Sequence, residues 1–357
     1  MPTSFASAAG TNVLPGESNT FIRQHDATGH LVVHYSRNPK AFPLNRYIQL
    51  KEVKKSTGLY LQITAEEAGR IVGGNLSEFV WPDGSDRPQR NSGWEQFRFL
   101  DYRTQRFDYD FQIGYKAQRQ ADWDILATGA ATKAQQAMTA RTRAVHQVLY
   151  DTNNWDASHV ADVASGITGN SGTWELSTTQ RGDIKRSLNY GANLIRKDTL
   201  AVVRKDDLML VMNPVSAQRI GESQEIRDYI KGSEDAWKEV INQEGRYSEY
   251  GLPNKLYGYE VVVEDSVMVT SNRGDTVVRS DVMADDIVFM MARPGGLVAN
   301  VESGPSWSTA MLFMLEELTV EQFSEDKQRR IDGHVVDDFA PVMTSPVSGF
   351  YFQNVIE

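Results

Sequence analysis

The chain has 357 residues, 40% of them hydrophobic and 24% charged, and its 37 basic and 47 acidic residues give a net charge of −10. This is the composition of a folded globular protein that is long enough for two domains or for one elaborated unit. The absence of cysteine excludes disulfides, thiolate metal sites and a cysteine nucleophile. An acidic surface repels phosphates, so the surface as a whole is not predicted to bind nucleic acid, although a small basic patch could still touch DNA locally.

The first 45 residues predict an extended arm. They lack sustained periodicity apart from a short strand-like run at residues 31–33, and Pro39 and Pro43 disfavour a helix. The start of the chain has neither the basic head nor the apolar stretch of a secretion signal. No apolar run approaches the roughly 20 residues that span a bilayer, so no membrane partner is predicted.

Residues 46–105 predict a long two-stranded loop. Leu59 and Leu61 alternate with Tyr60 and Gln62, which indicates an outgoing strand with two different faces. The clearest strand is RFDYDFQIGY, residues 106–115, which is predicted to be the returning strand that enters a helix. Because a two-stranded excursion is marginal alone in water, it is expected to need another surface to lie on.

Aromatic and basic residues interleave shortly before that returning strand. Their alternation predicts an amphipathic strand first, and a contact surface with another protein next. The candidate inter-subunit contacts in this stretch are Trp94, Phe97, Arg98 and Phe99.

A long amphipathic helix is predicted at about residues 122–150, because its apolar positions recur at intervals of three and four. Arg141 interrupts the apolar stripe. Its guanidinium either reaches solvent or pairs within the subunit, or it forms an ion pair with an acidic residue of an adjacent subunit. Arg141 is therefore a further candidate inter-subunit contact.

The rest of the chain predicts an α+β arrangement. After a glycine-rich loop at residues 164–174, the patterns indicate helices at about residues 179–196 and 216–231. Strands are predicted at residues 208–212, 260–263, 287–292 and 311–315. Residues 340–356 alternate enough to predict one closing strand.

No catalytic constellation emerges from the sequence. His30 and His34 lie in the strand-like arm, and the glycines of the loop at residues 164–174 lack the lysine and hydroxyl residue of a phosphate-binding loop. Adjacent carboxylates could serve acid–base chemistry on a sugar, but solvated turns at strand ends explain them. These pairs are Glu66-Glu67, Asp206-Asp207, Glu264-Asp265, Asp285-Asp286, Glu316-Glu317 and Asp337-Asp338. No catalytic, cofactor-binding or metal-binding residue is assigned, and the chain is predicted not to be an enzyme.

The order of these elements resembles that of the major capsid proteins of tailed bacteriophages, the Hong Kong 97 type of fold. The resemblance rests, in chain order, on RFDYDFQIGYKA with the helix ending in HQVLYDTNNW, RGDIKRSLNYGANLIRKD with DDLMLVMNPVSAQRI, NKLYGYEVVVEDSV, and APVMTSPVSGFYF. It covers residues 45–357 and departs from the family pattern at about residues 69–93.

The resemblance implies an α+β phage capsid fold and a division of the chain into five parts. These are an arm at residues 1–45, an extended loop at 46–105, a peripheral domain with the spine helix at 106–180, a mainly axial domain at 181–330, and a closing strand with the C-terminus at 331–357. It also implies that the extended loop and the arm lie over a neighbouring subunit. It brings no catalytic site and no cofactor.

The implied function is that of a structural major head protein, which self-assembles as hexamers and pentamers into an icosahedral shell around double-stranded DNA. The expected partners are copies of itself, a separate scaffolding protein or none, a portal, and the packaged DNA without sequence-specific binding; a decoration protein stays open. The expected location is the virion, after assembly in the host cytoplasm.

Two alternatives stay open. An encapsulin nanocompartment shares this fold but encloses enzyme cargo. A carbohydrate-active hydrolase would instead use the paired carboxylates, and the seven tryptophans of the chain suit a sugar ligand.

Overall fold

The structure is a computed structural model, which describes residues 42–63, 83–84, 97–121, 123–231, 250–292, 308–325 and 327–357. Several sequence features lie outside the described residues. They are residues 1–41 of the predicted arm with the run at 31–33 and the His30 and His34 pair, the Glu66-Glu67 pair, most of the segment at residues 69–93, and Trp94. The described end of the predicted arm is not extended, because a short helix begins at Leu44, directly after Pro43.

The described residues form helices and strands in four sheets. The helices are α1 (Leu44–Tyr47), α2 (Tyr115–Gln120), α3 (Ile125–Tyr150), α4 (Asp183–Asp198), α5 (Pro214–Glu222) and α6 (Gln224–Lys231). The strands are β1 (Gln49–Glu52), β2 (Thr57–Ile63), β3 (Phe97–Arg103), β4 (Gln105–Gly114), β5 (Val160–Asp162), β6 (Leu208–Met212), β7 (Lys255–Leu256), β8 (Tyr259–Val263), β9 (Val267–Val269), β10 (Arg279–Asp281), β11 (Val288–Ala292), β12 (Ala310–Glu325), β13 (Arg330–Met343) and β14 (Phe350–Gln353).

The sheets have the strand orders β1-β12-β13-β4, β5-β14-β11-β6-β8-β7, β2-β3 and β9-β10.

Within the described part of the chain, no helix is both long enough and apolar enough to cross a membrane.

The six-stranded sheet is buried on both faces. All five residues of β6 are buried. Leu208, Leu210 and Met212 join the cluster that contains the buried side of α4, whereas Met209 and Val211 join the cluster that contains the C-terminal half of α3. A strand that is covered on both faces requires a continuous apolar run, which explains the sequence LMLVM.

Helix α3 lies along the four-stranded sheet, in contact with β4 and β13. Its start is fixed by Asp124, whose carboxylate accepts a hydrogen bond from the Ala127 N–H at 3.0 Å. The helix has 26 residues and is therefore about 39 Å long at 1.5 Å per residue. The predicted long helix is confirmed, and it begins at Ile125 rather than at residue 122.

Helix α4 begins within the triplet Arg181-Gly182-Asp183, where Gly182 has φ of 60° and takes the left-handed conformation that favours glycine. The carboxylate of Glu225, in α6, accepts hydrogen bonds at 3.1 Å from the N–H groups of Ile184 and Lys185. It therefore satisfies two N–H groups that a helix start leaves without partners inside the helix. The helix predicted at residues 179–196 is confirmed with a later start.

The sequence predicted that RFDYDFQIGY is the returning strand of the extended loop, and this prediction is wrong. As β4, this strand pairs antiparallel with β13, from Gln105 opposite Phe339 to Gly114 opposite Arg330. The returning strand of the loop is β3, which pairs with β2, and Thr104 separates β3 from β4. Alternation in a sequence identifies the two faces of a strand but not its hydrogen-bonding partner, so this correction required the tertiary structure.

The prediction of one closing strand at residues 340–356 is also wrong, because these residues belong to two strands. Residues 340–343 end β13, and β14 then joins the six-stranded sheet beside β5 and β11. The chain changes sheets at Gly349, where a Cβ atom would lie 2.8 Å from the Met290 carbonyl oxygen. Similarly, the helix predicted at residues 216–231 is two helices, because the backbone of Ser223 is extended between α5 and α6.

The remaining strand predictions are confirmed with shifted ends. The strand at residues 208–212 is β6 with the same ends, and those at 260–263 and 287–292 are β8 and β11. The strand predicted at residues 311–315 is the first part of the longer β12.

Candidate functional site

The outer face of the β2-β3 hairpin is the first candidate contact surface. Leu59 and Phe99 expose 67% and 65% of their area, although both are large apolar side chains. The register places Leu61 opposite Phe99 and Leu59 opposite Asp101, so Leu59 and Phe99 are diagonal neighbours on one face. Phe97 and Arg98 lie in β3 as predicted, opposite Ile63 and Gln62.

The inner face of the same hairpin rests on its own subunit. Tyr102 stacks on Phe313 of β12 with the ring centroids 4.5 Å apart, and Tyr60 lies 5.8 Å from the same ring. The Tyr60 hydroxyl donates a hydrogen bond to the Met343 carbonyl at 3.2 Å. The expectation that a neighbouring subunit covers the loop is therefore restricted, for the described base of the hairpin, to the outer face with Leu59 and Phe99.

Arg141 pairs within its own subunit. Its Nε and Nη2 donate hydrogen bonds to the two carboxylate oxygens of Asp337, at 3.0 and 2.6 Å. Arg141 is only 4% exposed and Asp337 is fully buried, so the pair lies in the interface between α3 and β13. This agrees with the interpretation in which Arg141 pairs within its own subunit. The alternative, an ion pair with an adjacent subunit, is not supported, because the guanidinium is buried and is already bound on two nitrogens.

The sequence carries a signal for this pair. In β13 the alternation places Asp337 on the same buried face as Val335 and Phe339. A carboxylate in an apolar strand face and a guanidinium in an apolar helix stripe complement one another, because each would be costly to bury alone. The explanation of Asp337-Asp338 by a solvated turn is wrong, since both residues lie inside β13 and are buried.

Glu264 belongs to a second buried polar cluster, which joins three elements. The Tyr47 hydroxyl, at the end of α1, donates to Glu264 Oε2 at 2.8 Å and lies 2.9 Å from Nε2 of His146 in α3. The Ser266 hydroxyl donates to Glu264 Oε1 at 2.5 Å. Tyr47, His146 and Glu264 are all at most 1% exposed, so the solvated-turn explanation is wrong for Glu264 as well.

Burial governs the protonation of this cluster. It lowers the pKa of His146 to about 3, which keeps the imidazole neutral at physiological pH. Burial also raises the pKa of Glu264, against the lowering effect of the hydrogen bonds from Ser266 and Tyr47. The pKa of Tyr47 lies well above its usual value, first because of burial and then because of the nearby Glu264. The cluster therefore connects the N-terminal segment, α3 and the end of β8 through groups whose charged forms are disfavoured.

The buried carboxylates do not form a site that a substrate could enter. A groove of about 700 Å³ runs between α3 and the junction of β3 and β4, with Phe107, Val148 and Phe339 among the residues that line it. Glu264 and Asp337 do not line this groove and are bound to donors of their own chain. Among the described residues, no three histidine or carboxylate side chains converge as metal ligands would.

Comparisons with known proteins give a match in structure but not in sequence. No protein-family model matches the chain, and neither does any curated protein sequence. A phage-related protein from Bordetella bronchiseptica RB50 superposes with a TM-score of 0.58 at 13% identity, over 89% of this chain and 93% of that one. The capsid structure of the cyanophage P-SCSP1u gives a TM-score of 0.56 at 11% identity, over 96% and 99% of the two chains.

The mature capsid of bacteriophage PhiM1 is similar over 96% of this chain and 91% of its own, with a TM-score of 0.52 at 8% identity. At such identities a similarity establishes the fold and not the activity. The helix on a four-stranded sheet, the doubly covered six-stranded sheet and these superpositions together show that the chain has the tailed-bacteriophage major capsid fold.

Proposed function

We propose that this chain is a structural major capsid protein, which self-assembles into an icosahedral phage head that encloses double-stranded DNA. The observation that carries the proposal is the superposition on the cyanophage capsid structure, which extends over nearly the whole length of both chains. A match of that extent leaves little of the given chain outside the shared fold.

The proposed mechanism of assembly is geometric. The inner face of the β2-β3 hairpin is held by Phe313, whereas Leu59 and Phe99 on its outer face have no cover within the described subunit. Burial of apolar area is favourable at roughly 25 cal/mol per Å², so a second copy that covers these side chains stabilises the assembly. Each contact is modest, and repetition in hexamers and pentamers with closure of the shell supplies the stability that one contact lacks.

The proposal includes the division into parts that the sequence predicts. These are the arm at residues 1–45, the extended loop at 46–105, the peripheral domain at 106–180, the mainly axial domain at 181–330 and the closing segment at 331–357. The position of α3 on the four-stranded sheet and of α4 on the six-stranded sheet is compatible with a peripheral and an axial part, although the two buried clusters share strand β6. The proposed partners are a scaffolding protein and a portal, and the proposed location is the virion after assembly in the host cytoplasm.

Self-assembly of the purified full-length chain tests the proposal. We expect sedimentation velocity and negative-stain microscopy to show closed shells, with the scaffolding protein added if assembly requires it. A 40.1 kDa species alone under all conditions would contradict the proposal. Shells that hold nuclease-protected DNA support a phage head, whereas shells that hold a protein cargo support the encapsulin alternative.

A matched pair of variants tests the outer face of the hairpin. Phe99→Asp is expected to prevent or weaken assembly, whereas Phe99→Tyr keeps the ring and is expected to assemble as the wild type does. Because Phe99 is 65% exposed, neither variant should change the free energy of unfolding by more than about 0.5 kcal/mol. Equal assembly of both variants would show that this face is not a subunit contact.

A further inference from the structure

The exposed face of α4 is mostly basic, although the chain as a whole is acidic. Its side chains are basic, amide or phenolic, and they are Lys185, Arg186, Asn189, Tyr190, Asn193, Arg196 and Lys197. The only acidic residues of the helix are Asp183, which is buried, and Asp198, which lies at its last position and 2.7 Å from His159. The face is therefore basic in a chain with a net charge of −10, as is expected of a surface that meets an anionic partner. Helix α3 also lacks carboxylates, but Arg141 in that helix is buried against Asp337.

The spacing aligns four of these side chains in one stripe, and Lys197 lies at the edge of the same face, next to Arg196. Lys185, Asn189, Asn193 and Arg196 follow at intervals of four, four and three residues, which keeps them on one side of a helix. Lys185 and Arg196 are therefore roughly 16 Å apart along the axis at 1.5 Å per residue.

The orientation of this stripe is fixed by the opposite side of α4. There Ile184, Leu188 and Ile195 are fully buried in the cluster beneath the six-stranded sheet. At the start of the stripe a shallow groove of about 440 Å³ runs along Lys185, Asn189 and Tyr190. The stripe is thus held on the solvent-exposed surface of the subunit, and its side chains cannot turn into the core of the subunit.

Three of the four basic groups are available to a partner. Arg186 is engaged, because its Nη1 lies 3.3 Å from Asp183 Oδ1 and also donates to the Gly169 carbonyl. Lys185, Arg196 and Lys197 have no carboxylate within ion-pair distance among the residues that the structure describes. Three uncompensated cations on a rigid face favour an anionic partner.

We propose that this face of α4 contacts the phosphate backbone of the packaged double-stranded DNA, and that it therefore lines the inside of the shell. The inference rests on the proposed capsid function. A duplex carries one negative charge per about 1.7 Å of its axis, so 16 Å of DNA carries roughly ten phosphates, of which only those on the facing side can reach the stripe. Asn and Tyr side chains also donate hydrogen bonds to phosphate oxygens, and such contacts carry no sequence information.

The net acidity of the chain does not oppose this contact. The Debye length is about 10 Å at 0.1 M salt, so exposed carboxylates farther away are largely screened at this face. Three phosphate contacts per subunit are weak and salt-sensitive, and they would hold the outer layer of DNA without fixing it.

The salt dependence of DNA binding tests the proposal on the full-length, unassembled chain. Fluorescence anisotropy with a labelled 30-base-pair duplex of arbitrary sequence is expected to give a slope of log K against log salt of about −3, at roughly −0.9 per phosphate. The triple variant Lys185→Gln, Arg196→Gln and Lys197→Gln is expected to reduce this slope to near zero. A wild-type chain that does not bind the duplex at low salt overturns the proposal.

A matched variant separates a local surface from a change in net charge. Lys54→Gln, Lys55→Gln and Lys116→Gln remove three exposed cations outside α4 and are expected to leave the slope within about one unit of the wild-type value. An equal loss in both triple variants overturns the proposal, because binding then follows total charge.

Labelling of assembled shells tests the side on which the stripe lies. An amine-reactive reagent too large to pass the shell wall is expected to modify Lys185 and Lys197 in dissociated subunits but not in intact shells, as mapped by mass spectrometry. Labelling in intact shells overturns the inference while leaving the capsid function intact. Failure to form shells contradicts the capsid function instead.

If the triple variant in α4 blocks assembly and the wild-type chain does not bind the duplex, the stripe is a contact between copies of the chain, and the DNA proposal is wrong.

Discussion

The buried pair of Arg141 and Asp337 provides the sharpest test of how α3 is held on its sheet. We consider three variants, Arg141→Met, Asp337→Leu and the double replacement. Methionine keeps most of the length of the arginine stem, and leucine keeps the bulk of the aspartate. Each single variant therefore removes one charge without opening a large cavity.

The expected magnitude follows from the burial of both groups. The exposed fractions of the side chains are 4% and 0%, and the two hydrogen bonds measure 3.0 and 2.6 Å. Removal of one partner leaves the other charge buried without compensation, which lowers the free energy of unfolding by about 3–5 kcal/mol. Two apolar residues in place of the pair restore most of this loss, since well-packed apolar replacements of buried pairs are often neutral or stabilising.

Urea unfolding of the unassembled subunit, followed by circular dichroism, measures these changes. The control is Arg46→Met, because Arg46 and Glu260 form an ion pair of similar length, 2.9 Å, with 59% and 28% exposure. We expect this control to lose less than about 1 kcal/mol. The reasoning is refuted if Arg141→Met costs no more than Arg46→Met, or if the double variant loses the sum of the two single losses.

Three further predictions concern the buried cluster and the change of sheets at Gly349. Because burial lowers the pKa of His146 to about 3, its contribution to stability is present above the ordinary histidine pKa of 6.5 and is lost as the pH falls below it. His146→Phe should thus show a smaller drop in Tm between pH 7 and 5 than the wild type, and parallel profiles would contradict this. Burial raises the pKa of Glu264, so its contribution is present below the ordinary glutamate pKa of 4.5 and is lost as the pH rises towards the pKa of the folded state. Glu264→Gln should therefore gain Tm relative to the wild type from pH 4.5 to 7, and a constant difference would refute that. Gly349→Ala places a Cβ atom 2.8 Å from a backbone oxygen and should lower the free energy of unfolding by about 1–3 kcal/mol in urea, whereas the control Gly114→Ala, with open space around its Cβ atom, should be near neutral.

Most elements and their buried faces could be predicted from the sequence alone. The three-and-four spacing in α3 and α4, the alternation in β4 and the continuous apolar run of β6 each predicted the right element. These patterns are local, because a helix or strand that faces a core repeats its apolar residues at its own period. The order of such elements was also enough to suggest the fold, which the structural comparison confirmed.

The candidate contact residues were only partly determined by the sequence. The aromatic alternation placed Phe99 on β3, but only the register with β2 and the stacking of Tyr102 on Phe313 distinguish its exposed face from the anchored one. Arg141 was recognised as anomalous, and its partner was not, because Asp337 lies 196 residues away in the chain.

The way in which distant segments meet could be known only from the folded chain. Strand β4 pairs with β13 rather than with β2, and the closing segment is divided between two sheets. Glu264 is buried against Tyr47, which in turn contacts His146. The physical reason is that strand pairing uses backbone groups that every residue possesses, so the side-chain pattern shows which face of a strand is buried but not which strand lies beside it. Burial of a charge likewise depends on a partner that folding alone brings close.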